Sequence, residues 1–134
     1  MTLVTYGSTW RIVSEAANEL EKLGISAEVI DVQSLIPFDL TNEIAESVKK
    51  TNRLVVVDED VEGGTSAFIL QQILEKQKAF KYLDSEPLTI SAENHRPAFA
   101  SDGDYFSKPS SDDMVEKIYA MFTEINPQKY PSIY

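Results

Sequence analysis

Several places in the sequence set side chains capable of chemistry close together. Gly7-Ser8-Thr9 puts two hydroxyls and successive backbone N–H groups just ahead of a helix-period pattern, an arrangement that can cradle a phosphate as a flavodoxin-like flavin site does. It lacks the glycine spacing of a dinucleotide loop and the glycine-lysine pair of a P-loop, so ordinary capping by Ser8 or Thr9 is the expected use. Asp58-Glu59-Asp60 offers carboxylates for a hard cation or for acid–base work. Adjacent side chains diverge, however, and a receiver-type site would need further acids where Tyr6-Gly7 supplies none, so a solvated loop is expected. The sole histidine, His95, titrates near neutrality when unperturbed, but spacing sets no nucleophile beside it and a loop hydrogen bond is its expected role. Phe99, Tyr105 and Phe106, interleaved with Asp102, Gly103 and Asp104, could form a contact surface, although packing onto their own domain is the stronger expectation. No residue is therefore assigned as catalytic, cofactor-binding or metal-ligating.

The elements that would position these groups alternate. Leu3 to Tyr6 reads as a strand, and Ile12, Val13, Ala16, Ala17, Leu20 and Leu23 recur at helical spacing up to Gly24, which suits a left-handed C-terminal cap. Ala27 to Val32 reads as a second strand. Beyond Pro37, Asp39 is the expected cap of a helix with Leu40, Ile44, Ala45 and Val48 on one apolar face and Lys49 and Lys50 at its negative end. Leu54-Val55-Val56-Val57 is a continuous β-branched and apolar run, the pattern of a strand covered on both faces. Gly63-Gly64-Thr65-Ser66 opens a third helix through Phe68, Ile69, Leu70, Ile73 and Leu74. Leu88 to Ser91 is a fourth strand, and Ser110 or Ser111 caps a last helix with Met114, Ile118, Met121 and Phe122. This order predicts a three-layer α/β/α doubly wound sandwich with a mainly parallel sheet. The domain is expected over residues 1–125, with residues 126–134 as a C-terminal tail. Residues 93–109 and that tail are the long irregular segments.

Length and charge bound the partners. A chain of 134 residues can bury a continuous core as one domain. No cysteine is present, which suits a cytoplasmic location and excludes a disulfide framework or thiolate chemistry. No apolar stretch approaches the roughly 18 residues of a membrane span. Twelve Lys and Arg against 22 Asp and Glu give a formal charge of −10, which opposes nucleic acid and anionic lipid and favours a basic protein partner.

Four segments carry a family resemblance: VTYGS at 4–8, GISAEVIDVQSLIPFD at 24–39, SVKKTNRLVVVDE at 47–59, and GG at 63–64. In this order they resemble the C-terminal domain of the β-subunit of thiamine-diphosphate-dependent 2-oxo acid dehydrogenases, within the transketolase superfamily. RPAFASDGDYFSKPS, at 96–110, departs from the usual ending and is similar to the variant in bacterial fused α–β forms of the branched-chain (2-oxoisovalerate) enzyme. The resemblance implies a transketolase C-terminal domain-like fold and an assembly role, inert in isolation, inside a homo-oligomeric enzyme. That enzyme would decarboxylate a 2-oxo acid on thiamine diphosphate with magnesium, none of it held by this domain, and pass the acyl group to a lipoyl acyltransferase. It implies as partners the other domains or subunits of the enzyme and the acyltransferase's small basic peripheral domain. For that docking it points to Asp84 and Glu86 and to the terminal carboxylate at Tyr134, although the Asp84 loop is one residue longer than the family form and the tail is also longer. The family's sheet has a further strand ahead of Met1, so Ala27 to Val32 is expected to be an apolar edge that self-associates or finds a cover. The alternatives are an autonomous flavodoxin-like flavin mononucleotide carrier and a stand-alone interaction module.

Overall fold

The computed structural model describes residues 1–132. The order is β1 Thr2–Thr5, α1 Thr9–Lys22, β2 Glu28–Asp31, α2 Glu43–Thr51, β3 Leu54–Val61, α3 Thr65–Gln71, β4 Leu88–Ala92, α4 Ser101–Ser107 and α5 Ser111–Ile125. A π-helical turn over Gln72–Lys76 continues α3, and a 3-10 turn covers Ala79–Tyr82. The four strands form one all-parallel sheet in the order β2-β1-β3-β4. The chain thus winds outward in both directions from β1 and β3, and the reversal creates a switch point between their carboxyl ends.

Alternation along the strands splits the core in two. Leu3, Val55, Val57 and Ile90 face α1 and α5, meeting Val13, Ala16, Leu20, Met114 and Ile118. Val4, Leu54 and Val56 face the other way, onto Ile44 and Val48 of α2 and Ile69 and Ile73 of α3 and its extension. The run Leu54–Val57 is accordingly buried on both faces, as its lack of alternation requires. The buried Thr2 hydroxyl finds partners at the sheet's amino end, where its Oγ1 meets Ser47 Oγ at 2.7 Å and Thr51 Oγ1 at 2.8 Å.

Helix ends follow local chemistry. Gly24 takes φ +80°, its N–H reaching Glu21 O and that of Ile25 reaching Leu20 O, the paired bonds of a glycine-terminated helix. Ser110 and Asp113 form a reciprocal capping box at α5. Asp39 caps α2 from a distance, accepting from Glu43 N at 3.0 Å and Ile44 N at 2.9 Å. The helix therefore starts three residues later than a cap at Asp39 predicts. Asp39 and Asn42 both have positive φ, and Leu40, expected on the apolar face, is exposed in the turn between them.

Two irregular segments are more ordered than expected. Residues 93–109 contain α4, and Tyr130 of the tail is buried against α5 rather than frayed. The β2 edge matches expectation: among the described residues it pairs only with β1, and Ile36 and Leu40 lie exposed close by. Concentration-dependent dimerisation is expected in sedimentation velocity, with amide exchange at Val29 to Val32 slowing as concentration rises. Full protection there in a dilute monomer would refute it.

Candidate functional site

The carboxyl ends of β1 and β3 converge on one buried carboxylate. β3 does not stop at Val57, as the acidic run suggests, but continues through Asp58-Glu59-Asp60 to Val61, with its register against β4 shifting between Val57 and Val61. That continuation turns Asp58 inward, to 0% exposure. Its Oδ1 accepts from Tyr6 Oη at 2.6 Å and Asp60 N at 3.0 Å, and its Oδ2 accepts from Ser66 N at 2.7 Å in the first turn of α3. Burial chiefly, then the hydrogen bond to Asp58, pushes the Tyr6 hydroxyl up to about 12. With both oxygens occupied by protein donors, Asp58 holds three elements together and has no oxygen directed at a ligand.

The neighbouring phosphate cradle is occupied in the same way. Ser8 Oγ donates to Glu59 Oε2 at 2.8 Å, and Lys108 Nζ lies 3.7 Å from that oxygen. Neither Ser8 nor Thr9 makes the expected cap: Ser8 is turned to Glu59, and Thr9 Oγ1 is buried without a hydrogen-bond partner. A carboxylate therefore stands where the start of α1 would attract phosphate, and Gly7-Ser8-Thr9 is a poor fit for a flavin phosphate or a diphosphate. Among the described residues no group of three or more His, Asp or Glu side chains could hold a metal ion.

His95 stacks on Phe106 with ring centroids 5.7 Å apart, and its Nδ1 is 3.0 Å from Arg96 O, the loop contact expected from sequence. A cleft of about 360 Å³ beside it is lined by Glu93, Tyr105, Lys108 and Lys117, and among the described residues no nucleophile is in hydrogen-bond contact with the imidazole. Phe99, Tyr105 and Phe106 are largely exposed, and the expected packing onto their own domain is limited to the contact of Phe106 with His95 and the edge that Tyr105 gives the cleft.

The docking candidates lie at the opposite, amino end of the sheet. Asp84 Oδ1 accepts from Arg53 Nε at 3.2 Å, and the Arg53 guanidinium also rests 4.4 Å above the Phe122 ring. Glu86 is exposed and lines a cleft of about 420 Å³ with Pro87, Leu88 and Lys117. Asp84 and Glu86 are thus both exposed, one of them restrained, while Tyr134 lies outside the described residues. Sequence reasoning missed Arg53, Phe122 and Tyr130 as the support of this end. The signal for Arg53 was its place immediately before the Leu54–Val57 strand, beside the Asp84 loop whose amide donates to Asn52 O at 3.0 Å.

Together these features define a doubly wound parallel α/β domain whose switch point is filled by its own side chains. The model of the transketolase C-terminal domain family matches residues 1–107. The chain belongs to that family. It is 36% identical over 119 residues to the pyruvate dehydrogenase E1 component subunit beta of Rickettsia felis, covering 88% of this chain and 36% of the relative. It is likewise 36% identical over 121 residues to the same subunit of Rhizobium meliloti, covering 90% of this chain and 26% of the relative. A solved structure described as a split gene transketolase, inactive β4 tetramer, superposes with a TM-score of 0.67 at 25% identity, over 91% of this chain and 38% of that one. The chain spans about a third of the length of these relatives.

Proposed function

We propose that this chain is the C-terminal assembly domain of the thiamine-diphosphate-dependent decarboxylating component of a 2-oxo acid dehydrogenase, organised as a body over residues 1–125 and a tail over 126–134. The observation that carries this reading is the filled switch point. The crevice in which an open α/β sheet ordinarily binds its ligand is closed by Tyr6–Asp58 and Ser8–Glu59, so the chain's chemistry must come from elsewhere in the enzyme. The subunit names of the relatives support the reaction class. Thiamine diphosphate and magnesium would be held elsewhere in the whole enzyme, because the residues at these strand ends, with Glu59 on Ser8 and Asp58 on Tyr6, do not fit them.

Its role is to hold subunits together and to offer a surface to the lipoyl acyltransferase. Asp84, Glu86 and the carboxylate of Tyr134 are the proposed contacts, and opposite charge would steer the acyltransferase's basic peripheral domain to them. The segment from Arg96 to Ser110 favours a branched-chain 2-oxo acid, whereas the names of the relatives favour pyruvate. Rates on the two acids, measured with the whole enzyme, decide between them. A cytoplasmic location follows from the same reading.

The test uses the chain alone and within the whole enzyme. Alone, with thiamine diphosphate, magnesium and either acid, it is expected to give no turnover, and any turnover would sink the proposal. In the whole enzyme, D84N/E86Q is expected to weaken binding of the acyltransferase peripheral domain by about tenfold while leaving decarboxylation with an artificial electron acceptor unchanged. Unaltered binding would remove Asp84 and Glu86 from the docking surface.

A further inference from the structure

We propose that the outward stripe of α4, with Phe99 ahead of it, is a docking surface for an arginine-rich peptide segment, at the end of the sheet opposite Asp84 and Glu86. Within α4, Asp102, Tyr105 and Phe106 stand at i, i+3 and i+4 and share one face, while Gly103 and Ser107, also four apart, form the buried face. Phe99 is 101% exposed, Phe106 74% and Tyr105 66%, so the three rings contribute little to the domain's own core. The platform beneath them is fixed. A Cβ on Gly103 would lie 2.2 Å from Ala98 O, so the helix sits backbone to backbone on the preceding loop and holds its aromatic face outward. Three large exposed rings within eight residues form an interaction patch rather than the scatter found on ordinary surfaces.

The charges beside the rings select the occupant. Asp102, Asp104 and Glu93 form no ion pair among the described residues, and the cation at the end of the helix, Lys108, is turned to Glu59. Arg96 and, across the cleft beside Tyr105 and Phe106, Lys117 are the cations without an ion pair among the described residues, so the three carboxylates still outnumber them on a chain of charge −10. A guanidinium can stack on an aromatic face and pair with Asp102 at once, which an ammonium does less well. Like charge opposes both a second copy of the chain and an anionic membrane.

The probe is acetyl-Gly-Arg-Gly-Arg-Leu-Arg-Gly-amide, titrated into the isotopically labelled 134-residue chain at low salt. Amide shifts are expected to centre on residues 99–106. F99A/Y105A/F106A is expected to raise Kd by about tenfold at unchanged melting temperature, and D102N by a few-fold. A lysine version of the probe should bind more weakly, and D84N/E86Q should leave Kd unchanged, which separates this surface from the acyltransferase contacts. The proposal is overturned by absent binding, by shifts centred elsewhere, by equal binding to the triple variant, or by self-association that the triple variant abolishes.

Discussion

Replacing Asp58 with alanine is expected to cost about 4 kcal/mol of folding stability, a large share of the roughly 5–15 kcal/mol that holds a domain of this size. The substitution strands three donors at once: the Tyr6 hydroxyl, the amide of Asp60 and the buried amide of Ser66. An unsatisfied buried donor costs on the order of 1–3 kcal/mol, in full at Ser66 and less at the part-buried Tyr6 hydroxyl and Asp60 amide, and the sum still exceeds any relief from removing a buried carboxylate. D58N keeps one acceptor oxygen but turns an amide NH2 toward a donor, and should cost about half as much. Y6F removes a single bond from a partly exposed hydroxyl and should cost about 1 kcal/mol. Urea denaturation of the three variants gives the ranking. Were Asp58 a solvated loop residue, D58A would fall within about 0.5 kcal/mol of the parent.

The same triad has a pH signature. Tyr6 titrates at about 12 in the folded chain against 10.0 for a free tyrosine, so the unfolded state loses its proton first as the pH rises. Stability from this group is complete below pH 10 and declines as pH climbs through 12. Two units correspond to about 2.7 kcal/mol at most, and partial exposure of the ring screens that to on the order of 1–2 kcal/mol. Y6F should flatten this part of the profile. A slope between pH 10 and 12 that survives in Y6F would assign it to another group.

The buried triad was hidden in the sequence for a physical reason. Three successive acids ordinarily signal a solvated turn, and burial of the first depends on β3 running on past Val57, on the amino end of α3 folding back onto it, and on Tyr6, 52 positions earlier in the chain. The legible trace was an acidic residue at a strand end followed eight positions later by Ser66 in a glycine-led helix start. By contrast, elements whose signal is local came through clearly. The Leu54–Val57 run declares a strand buried on both faces, Gly24 the end of α1, and Ser110 with Asp113 the start of α5. Leu40 misled because its spacing to Ile44 and Val48 is helical, while Asp39 and Asn42 adopt positive φ and delay the helix. α4 was invisible because its buried side is Gly103 and Ser107, which leaves no apolar stripe to count. What the sequence could not show is that the carboxylates at the strand ends bind the donors of neighbouring elements, Asp58 those of Tyr6 and Ser66 and Glu59 that of Ser8.

Tyr130→Ala is expected to destabilise the chain by about 3 kcal/mol, although its position near the end of an irregular tail suggests a neutral change. The ring is 8% exposed and meets Phe122 at 5.2 Å and Tyr119 at 6.2 Å between centroids, both edge to face. Its hydroxyl reaches Gly24 O at 3.4 Å, so the tail crosses from α5 to the turn after α1 and closes that face of the sheet. The long hydroxyl bond contributes little, and Y130F should cost less than about 1 kcal/mol, which assigns the effect to the ring. The change should also reach the amino end. Phe122 sits between Tyr130 and the Arg53 guanidinium, and Arg53 in turn restrains Asp84. Loosening Phe122 should therefore weaken the Arg53–Asp84 contact, read as a smaller stability loss for D84N in the Y130A background than in the parent. Additive losses would show that the tail anchors α5 alone, and a Y130A variant as stable as its parent would show the tail detached in solution. If the coupling is found, the packing of the tail and the geometry of the proposed acyltransferase contacts are set by one run of side chains, Tyr130, Phe122, Arg53 and Asp84.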